Sequence, residues 1–207
     1  MINISYSILT HNETDSLINL IEFLVKYKEE DDEIVILDDY SDNLKTIEIL
    51  DTMCSIHEIK FEKRHLMKDF AQQKNYLKNM CSKDYIFNID ADEIPHKYLI
   101  QNIKLIIEAN PYVDLYYLPR VNTVEGLTKS HIKAWNWNVD ELDRVNWPDW
   151  QSRIWKNRPN IMWQNSVHET LIGYKEYSHL PAQTEFSLLH PKDIERQEKQ
   201  NKFYSGI

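Results

Sequence analysis

The sequence predicts an α/β fold: a mostly parallel central sheet flanked by helices, followed by a smaller, tryptophan-rich half. Three observations predict it. Short β-prone apolar runs alternate with helix-spaced apolar residues across the first 118 positions. One of those runs, Ile34-Val35-Ile36-Leu37, is continuous rather than alternating, as in a parallel strand covered on both faces. Beyond Pro119 the character changes, and all six tryptophans (Trp135, Trp137, Trp147, Trp150, Trp155 and Trp163) fall between 135 and 163.

Ile2, Ile4, Tyr6 and Ile8 alternate with polar residues and predict a first strand ending at Thr10-His11-Asn12-Glu13. Leu17, Leu20, Ile21 and Leu24 follow at helical spacing, with Thr14 and Asp15 as capping candidates. After the Ile34–Leu37 strand, Ile47, Leu50 and Cys54 mark a second helix. A short strand is expected near Glu58 to Phe61, and a third helix from about Asp69 to Cys81. Tyr85, Ile86, Phe87 and Ile89 form a fourth strand. A long helix is expected from about Pro95, with Leu99, Ile103 and Ile106 inward, and a fifth strand from Leu115 to Leu118. In the second half, Gln151 to Trp155, Ile161 to Trp163 and Glu185 to Leu189 read as short strands, and Lys192 to Tyr204 as a polar helix. The division falls at 118/119, with both halves in one continuous domain.

Composition narrows the function. A chain of 207 residues is long enough for a substantial core. Its net charge of −9, with no basic run, argues against nucleic acid or an anionic membrane surface as partner. No apolar stretch approaches the roughly 20 residues of a membrane span. The amino terminus alternates like a strand and lacks the regions of a signal peptide. Cys54 and Cys81, both on expected helices, read as buried reduced thiols, and together these features predict a cytoplasmic protein. The glycines number three, Gly126, Gly173 and Gly206, with none in the first half. A glycine-rich phosphate cradle is therefore excluded, and bound phosphates would need another source of positive charge.

That source is suggested by two acid clusters. Asp38-Asp39-Tyr40-Ser41-Asp42 closes the second strand, and Asp90-Ala91-Asp92-Glu93 closes the fourth. Side chains two apart on an extended chain point the same way, so Asp90 and Asp92 can converge beyond the strand end. A parallel sheet places both clusters on its carboxyl edge, where ligands sit in open α/β sheets. Carboxylates held this close repel unless they share a proton or a cation. Hard oxygen ligands of this kind suit Mn2+ or Mg2+.

The ordered motifs Ser7-Ile8-Leu9-Thr10-His11-Asn12-Glu13, Ile36 to Asp42, Phe70-Ala71-Gln72-Gln73-Lys74-Asn75-Tyr76 and Asp84 to Glu93 resemble those of family 2 glycosyltransferases. Pro148 to Trp155 and Ser166-Val167-His168-Glu169 resemble one bacterial-type branch of that family, and the likeness runs from about residue 3 to 190. The resemblance implies a Rossmann-like GT-A fold and inverting transfer of a sugar from a nucleotide diphosphosugar, UDP-linked first, to a saccharide or glycoconjugate hydroxyl. It places Thr10 and Asp39 at the nucleotide base and ribose, with Asn12 and Glu13 beside them. Lys74 stands where many members carry an arginine facing the diphosphate. Asp90 and Asp92 match the metal motif, the cation bridging the diphosphate and Asp90 thereby also touching the donor. His168 is expected as a further metal ligand, with His190 the alternative.

Inverting transfer needs a base to take the acceptor's proton. The resemblance implies an acidic pair in the second half, which this chain replaces with Pro148-Asp149-Trp150. Asp149 is the expected base and Glu169 the second candidate. Neighbouring tryptophans would desolvate Asp149 and raise its pKa. The tryptophans themselves are expected as a small aromatic core, as a stacking platform for a ring-bearing acceptor, or as both. The rival from another class is a non-catalytic carbohydrate- or nucleotide-binding module on a degenerate transferase fold. A phosphatase of the haloacid-dehalogenase type is disfavoured, because its Asp-x-Asp would follow the first strand. The oligomeric state is left open.

Overall fold

In the computed structural model, which describes residues 2–205, the acidic edge follows from the register of three parallel strands. The strand β1 (Ile4–Thr10) is almost wholly buried and lies between β2 (Glu33–Asp38) and β4 (Tyr85–Asp90). Leu9 sits opposite both Leu37 and Asp90, and Thr10 opposite Asp38. All three strands therefore end within a residue or two of the same line. β3 (Lys60–Lys63) pairs parallel with β2 as the outer strand. It starts two residues later than the expected Glu58, which instead adopts a left-handed turn conformation.

Helices cover both faces of this sheet, as the continuous apolar run required. On one face, α1 (Asp15–Tyr27) buries Leu17, Leu20, Ile21 and Leu24, joined by α2 (Leu44–Ile56) and α4 (Lys97–Ala109). The fully buried positions of α4 include Ile107, while Ile106 packs only partly against the core. On the other face, α3 (Phe70–Met80) packs Ala71, Leu77 and Met80 over Val35, Leu37 and Ile86. Asp69 caps α3 by accepting the Gln72 amide at 2.9 Å. Thr14 makes no side-chain cap bond at α1, where Asp15 supplies the acidic first turn. Cys54 lies within α2, whereas Cys81 is the residue that ends α3, and both are buried and free. Burial pushes the Cys54 thiol up to about 11 and the Cys81 thiol up to about 12.

The second half adds strands to the same sheet. β6 (Leu115–Glu125) runs seven residues past the expected end and crosses the 118/119 line. β7 (Val145–Lys156) inserts antiparallel between β4 and β6. On the far side of β6 lies β11 (Leu188–Asp193), parallel to β6 and antiparallel to the two-residue β5 (Ile94–Pro95). The expected strand at Glu185 thus begins at Leu188. Thr184–Phe186 forms a tight 3-10 turn, closed where Ser187 donates its amide and hydroxyl to the Thr184 carbonyl. β8 (Met162–Gln164) and β9 (Thr170–Ile172) form a separate hairpin-like pair packed on α3. β10 (Tyr177–His179) pairs with the start of β6. α5 (Lys129–Trp135) is short, and α6 (Ile194–Ser205) begins two residues after Lys192, which belongs to β11. No helix of the described residues is long and apolar enough to cross a membrane.

Candidate active site

A cavity of about 1000 Å³ opens along the carboxyl edge of the parallel strands. From the first half it is lined by Thr10, Glu13, Asp39, Lys74, Asp90 and Asp92, and from the second by Asp149, His168, Glu169 and His190. Every site residue expected from the sequence except Asn12 therefore borders one space. Asn12 is a brace instead. In a left-handed conformation, its Oδ1 accepts the Asp42 and Asn43 amides at 3.0 Å each, and its Nδ2 donates to Asp42. Thr10 is buried, and its hydroxyl has no hydrogen-bond partner, so a polar atom is available to a ligand. Of the first acid cluster, Asp38 turns inward to accept the Ser41 hydroxyl and amide, whereas Asp39 faces the cavity and accepts the Leu66 amide at 2.8 Å.

The second cluster is held by cations from the second half. Asp90 Oδ2 accepts Arg153 at 2.6 Å, and the same guanidinium nitrogen reaches Glu93 at 2.7 Å. Burial favours the protonated form of Asp90, but Arg153 and the more distant Lys74 and Arg120 outweigh it and hold the carboxyl far below its ordinary value. Asp92 is likewise lowered: burial opposes ionisation, and His190 overcomes it with a 3.1 Å hydrogen bond. Arg196 of α6 donates to the same Asp92 oxygen at 2.9 Å and forks onto Glu13 at 2.5 and 3.2 Å. His190 is oriented by Asn122, whose Oδ1 lies 2.7 Å from Nδ1. His168 borders the cavity in a left-handed conformation. The imidazole recorded against the acid motif is thus that of His190.

These residues suit a hard cation only in part by themselves. Among the described residues, no three His, Cys, Asp or Glu side chains are gathered as a ready metal cage. Mg2+ and Mn2+ sites commonly use one or two carboxylates and complete their shell with water and substrate phosphates. Asp90 and Asp92 are two carboxylates on one cavity wall, with the His190 imidazole held against Asp92.

Asp149 sits against Arg120, not in an apolar pocket. Its Oδ2 accepts Arg120 Nε and Nη2 at 2.9 and 2.7 Å and Asn122 at 2.9 Å, and its Oδ1 accepts Gln151 at 2.8 Å. Burial would raise its pKa, but the Arg120 charge and these hydrogen bonds lower it below the usual carboxylate range. The expected rise is therefore reversed. Trp150 stands next to Asp149 in sequence but packs edge-on against His179 at 4.7 Å. Lys74 and Glu169 form an ion pair with each other, and the Lys74 ammonium lies 4.5 Å over the Trp163 ring. Trp155 and Trp163 meet edge to face at 5.5 Å, and Trp163 also borders the cavity, as does Trp137.

Several site residues carried no expected role. Glu93 is fully buried and joins Arg120 (3.0 Å) to Arg153, so Asp149, Arg120, Glu93, Arg153 and Asp90 form one chain of alternating charge. Asp149 and Gln151 keep the strand period of two, but a register shift of β7 against β6 falls between Ser152 and Ile154, so sequence spacing gave no signal for Arg153. Arg120, Asn122 and Arg196 had no local signal.

The model of the family described as Glycosyl transferase family 2 matches residues 5–173. Among solved structures, S. aureus TarS aligns with a TM-score of 0.65 at 14% identity, covering 92% of this chain and 37% of that one. TarS 1-349 in complex with UDP-GlcNAc gives 0.62 at 14% identity, covering 93% and 59%. Its complex with UDP gives 0.57 at 14% identity, covering 87% and 61%. The chain thus spans less than two thirds of each of these proteins, and the likeness is one of GT-A fold. A search of curated proteins finds no match. With its strand order, acidic edge and family match taken together, the chain belongs to glycosyl transferase family 2.

Proposed function

We propose that this chain is a metal-dependent, inverting glycosyltransferase that moves a sugar from a nucleotide diphosphosugar to a hydroxyl of a saccharide or glycoconjugate. The observation that carries this reading is the convergence of Thr10, Asp39, Asp90, Asp92 and Asp149 on one cavity in a family 2 chain. UDP is the first donor nucleotide to test, because TarS, of the same fold, has been solved with UDP and UDP-GlcNAc.

In this reading Thr10 and Asp39 hold the nucleoside through hydrogen bonds. Asp90, Asp92 and His190 would hold Mn2+ or Mg2+, which as a Lewis acid stabilises the charge gathering on the departing diphosphate. The acceptor oxygen attacks the anomeric carbon as the bond from that carbon to the diphosphate oxygen breaks. The acceptor's proton passes to Asp149, with Glu169 as second candidate. Asp149 is a weak base while Arg120 holds it, so it takes the proton only as the attacking hydroxyl becomes acidic in the transition state.

The test is unfolding of wild type and Asp92→Ala with UDP, GDP, CMP or dTDP, each with and without Mn2+. A ligand at a hundredfold excess over its Kd stabilises by roughly 2.7 kcal/mol. The expected result is stabilisation by one nucleotide that depends on Mn2+ and disappears in Asp92→Ala. No stabilisation of folded wild type by any of them rejects the donor site. Nucleotide binding without turnover of the matching sugar donor would favour the binding-module alternative.

A further inference from the structure

Four lysines and arginines line the cavity: Lys74, Arg120, Arg153 and Lys192. Three are already committed, Lys74 to Glu169, Arg120 to Glu93 and Asp149, and Arg153 to Asp90 and Glu93. Arg196, just outside, is bound to Glu13 and Asp92. Lys192 differs. Among the described residues it has no ion-pair partner, and its ammonium donates to the neutral Oε1 of Gln200 at 2.5 Å. It lies two residues after His190 on β11, so both side chains leave the strand on the same side, toward Asp92 and the cavity. Of the four cations lining the cavity, Lys192 is thus the one that faces it, among the described residues, without an anion in ion-pair contact.

We propose that Lys192 is a diphosphate-contacting residue of the nucleotide donor site, the position that motif order gives to Lys74. An entering diphosphate supplies such an anion, and an ammonium offers three donors that adapt to phosphate oxygens. Lys74, clamped between Glu169 and the Trp163 ring, would first have to exchange one anion for another. Lys192 lies beyond residue 173, where the family match ends. The inference rests on the glycosyltransferase reading.

The experiment is calorimetric titration, in Mn2+, of wild type, Lys192→Gln, Lys192→Arg, Lys74→Gln and the exposed control Lys175→Gln. UDP, GDP, CDP and dTDP are the probes, followed by the nucleoside of whichever binds. Lys192→Gln is expected to weaken the diphosphate by about tenfold or more while leaving the nucleoside within about twofold, since only the diphosphate meets the lost charge. Lys192→Arg should recover most of the loss, and Lys74→Gln should cost less than Lys192→Gln. Unchanged diphosphate affinity in folded Lys192→Gln, or an equal loss for the nucleoside, overturns the assignment to Lys192 and leaves the donor site standing. Wild type that binds no nucleotide overturns both.

Discussion

Glu93 offers the sharpest test of how the acidic edge is held together. Its side chain is fully buried and accepts from Arg120 at 3.0 Å, from Arg153 at 2.7 Å and from the Asp90 amide at 3.1 Å. Glu93→Ala removes the one anion shared by two guanidiniums. Arg153 has a side chain only 3% exposed, and its Nε already lacks a partner, so it cannot turn to water for compensation. Deleting one partner of a buried pair costs about 3–5 kcal/mol where the remaining charge is left unpaired. Arg153 keeps Asp90 and Arg120 keeps Asp149, so this range is the ceiling for the loss of their shared anion. For a chain of this size each kcal/mol lowers the Tm by about 2–4 °C, giving a ceiling of roughly 6–20 °C on the expected drop.

The assay is urea unfolding, with calorimetry for Tm, of wild type, Glu93→Ala and Glu29→Ala. Glu29 pairs with Lys104 at 2.9 Å, but its side chain is 63% exposed, so its removal should cost no more than about 1 kcal/mol. Equal, small effects from the two substitutions would refute the claim that Glu93 organises a buried charge network. A large effect confined to Glu93 would support it.

The remaining predictions concern proton equilibria. Asp149 has a folded pKa below its unfolded value near 3.9, so its contribution to stability is fully present above that value and is lost as pH falls through the folded pKa. The stability gap between wild type and Asp149→Asn, measured by urea midpoints, should therefore narrow as pH is lowered below about 4; a gap that widens on acidification rejects the ion pair with Arg120. Cys54 and Cys81, with thiols raised to about 11 and about 12, should react slowly with iodoacetamide at pH 8 in the folded protein and far faster in urea. Equal rates in the two states would refute their burial.

The acidic edge was legible because its information is local. An apolar run followed by Asp-x-Asp implies a strand end, and parallel pairing carries two such ends to one line whatever the loops do. The environment of Asp149 was misread because sequence neighbours were taken as spatial neighbours. On the extended β7, Trp150 faces His179 while Asp149 meets Arg120 from the adjacent strand. The contact of His190 with Asp92 was equally hidden. His190 meets Asp92 across 98 positions and Arg196 meets it across 104, separations that no local pattern encodes. The strand expected at Glu185 moved for a smaller reason, the Ser187 side chain closing a tight turn that delays pairing until Leu188.

The division of charge explains why the two halves must share one sheet. Glu13, Asp90, Asp92 and Glu93 all come from the first half, and left alone they would repel across a few ångströms of buried edge. The side chains recorded within hydrogen-bond reach of Asp90, Asp92 and Glu93, those of Arg120, Arg153, His190 and Arg196, all come from the second half. β7 is what delivers Arg153 to Asp90, because it pairs directly with β4. β6 and β11 then bring Arg120 and His190 to the same edge. The antiparallel insertion that departs from a simple parallel sheet is thus the feature that lets an acidic edge stay ionised.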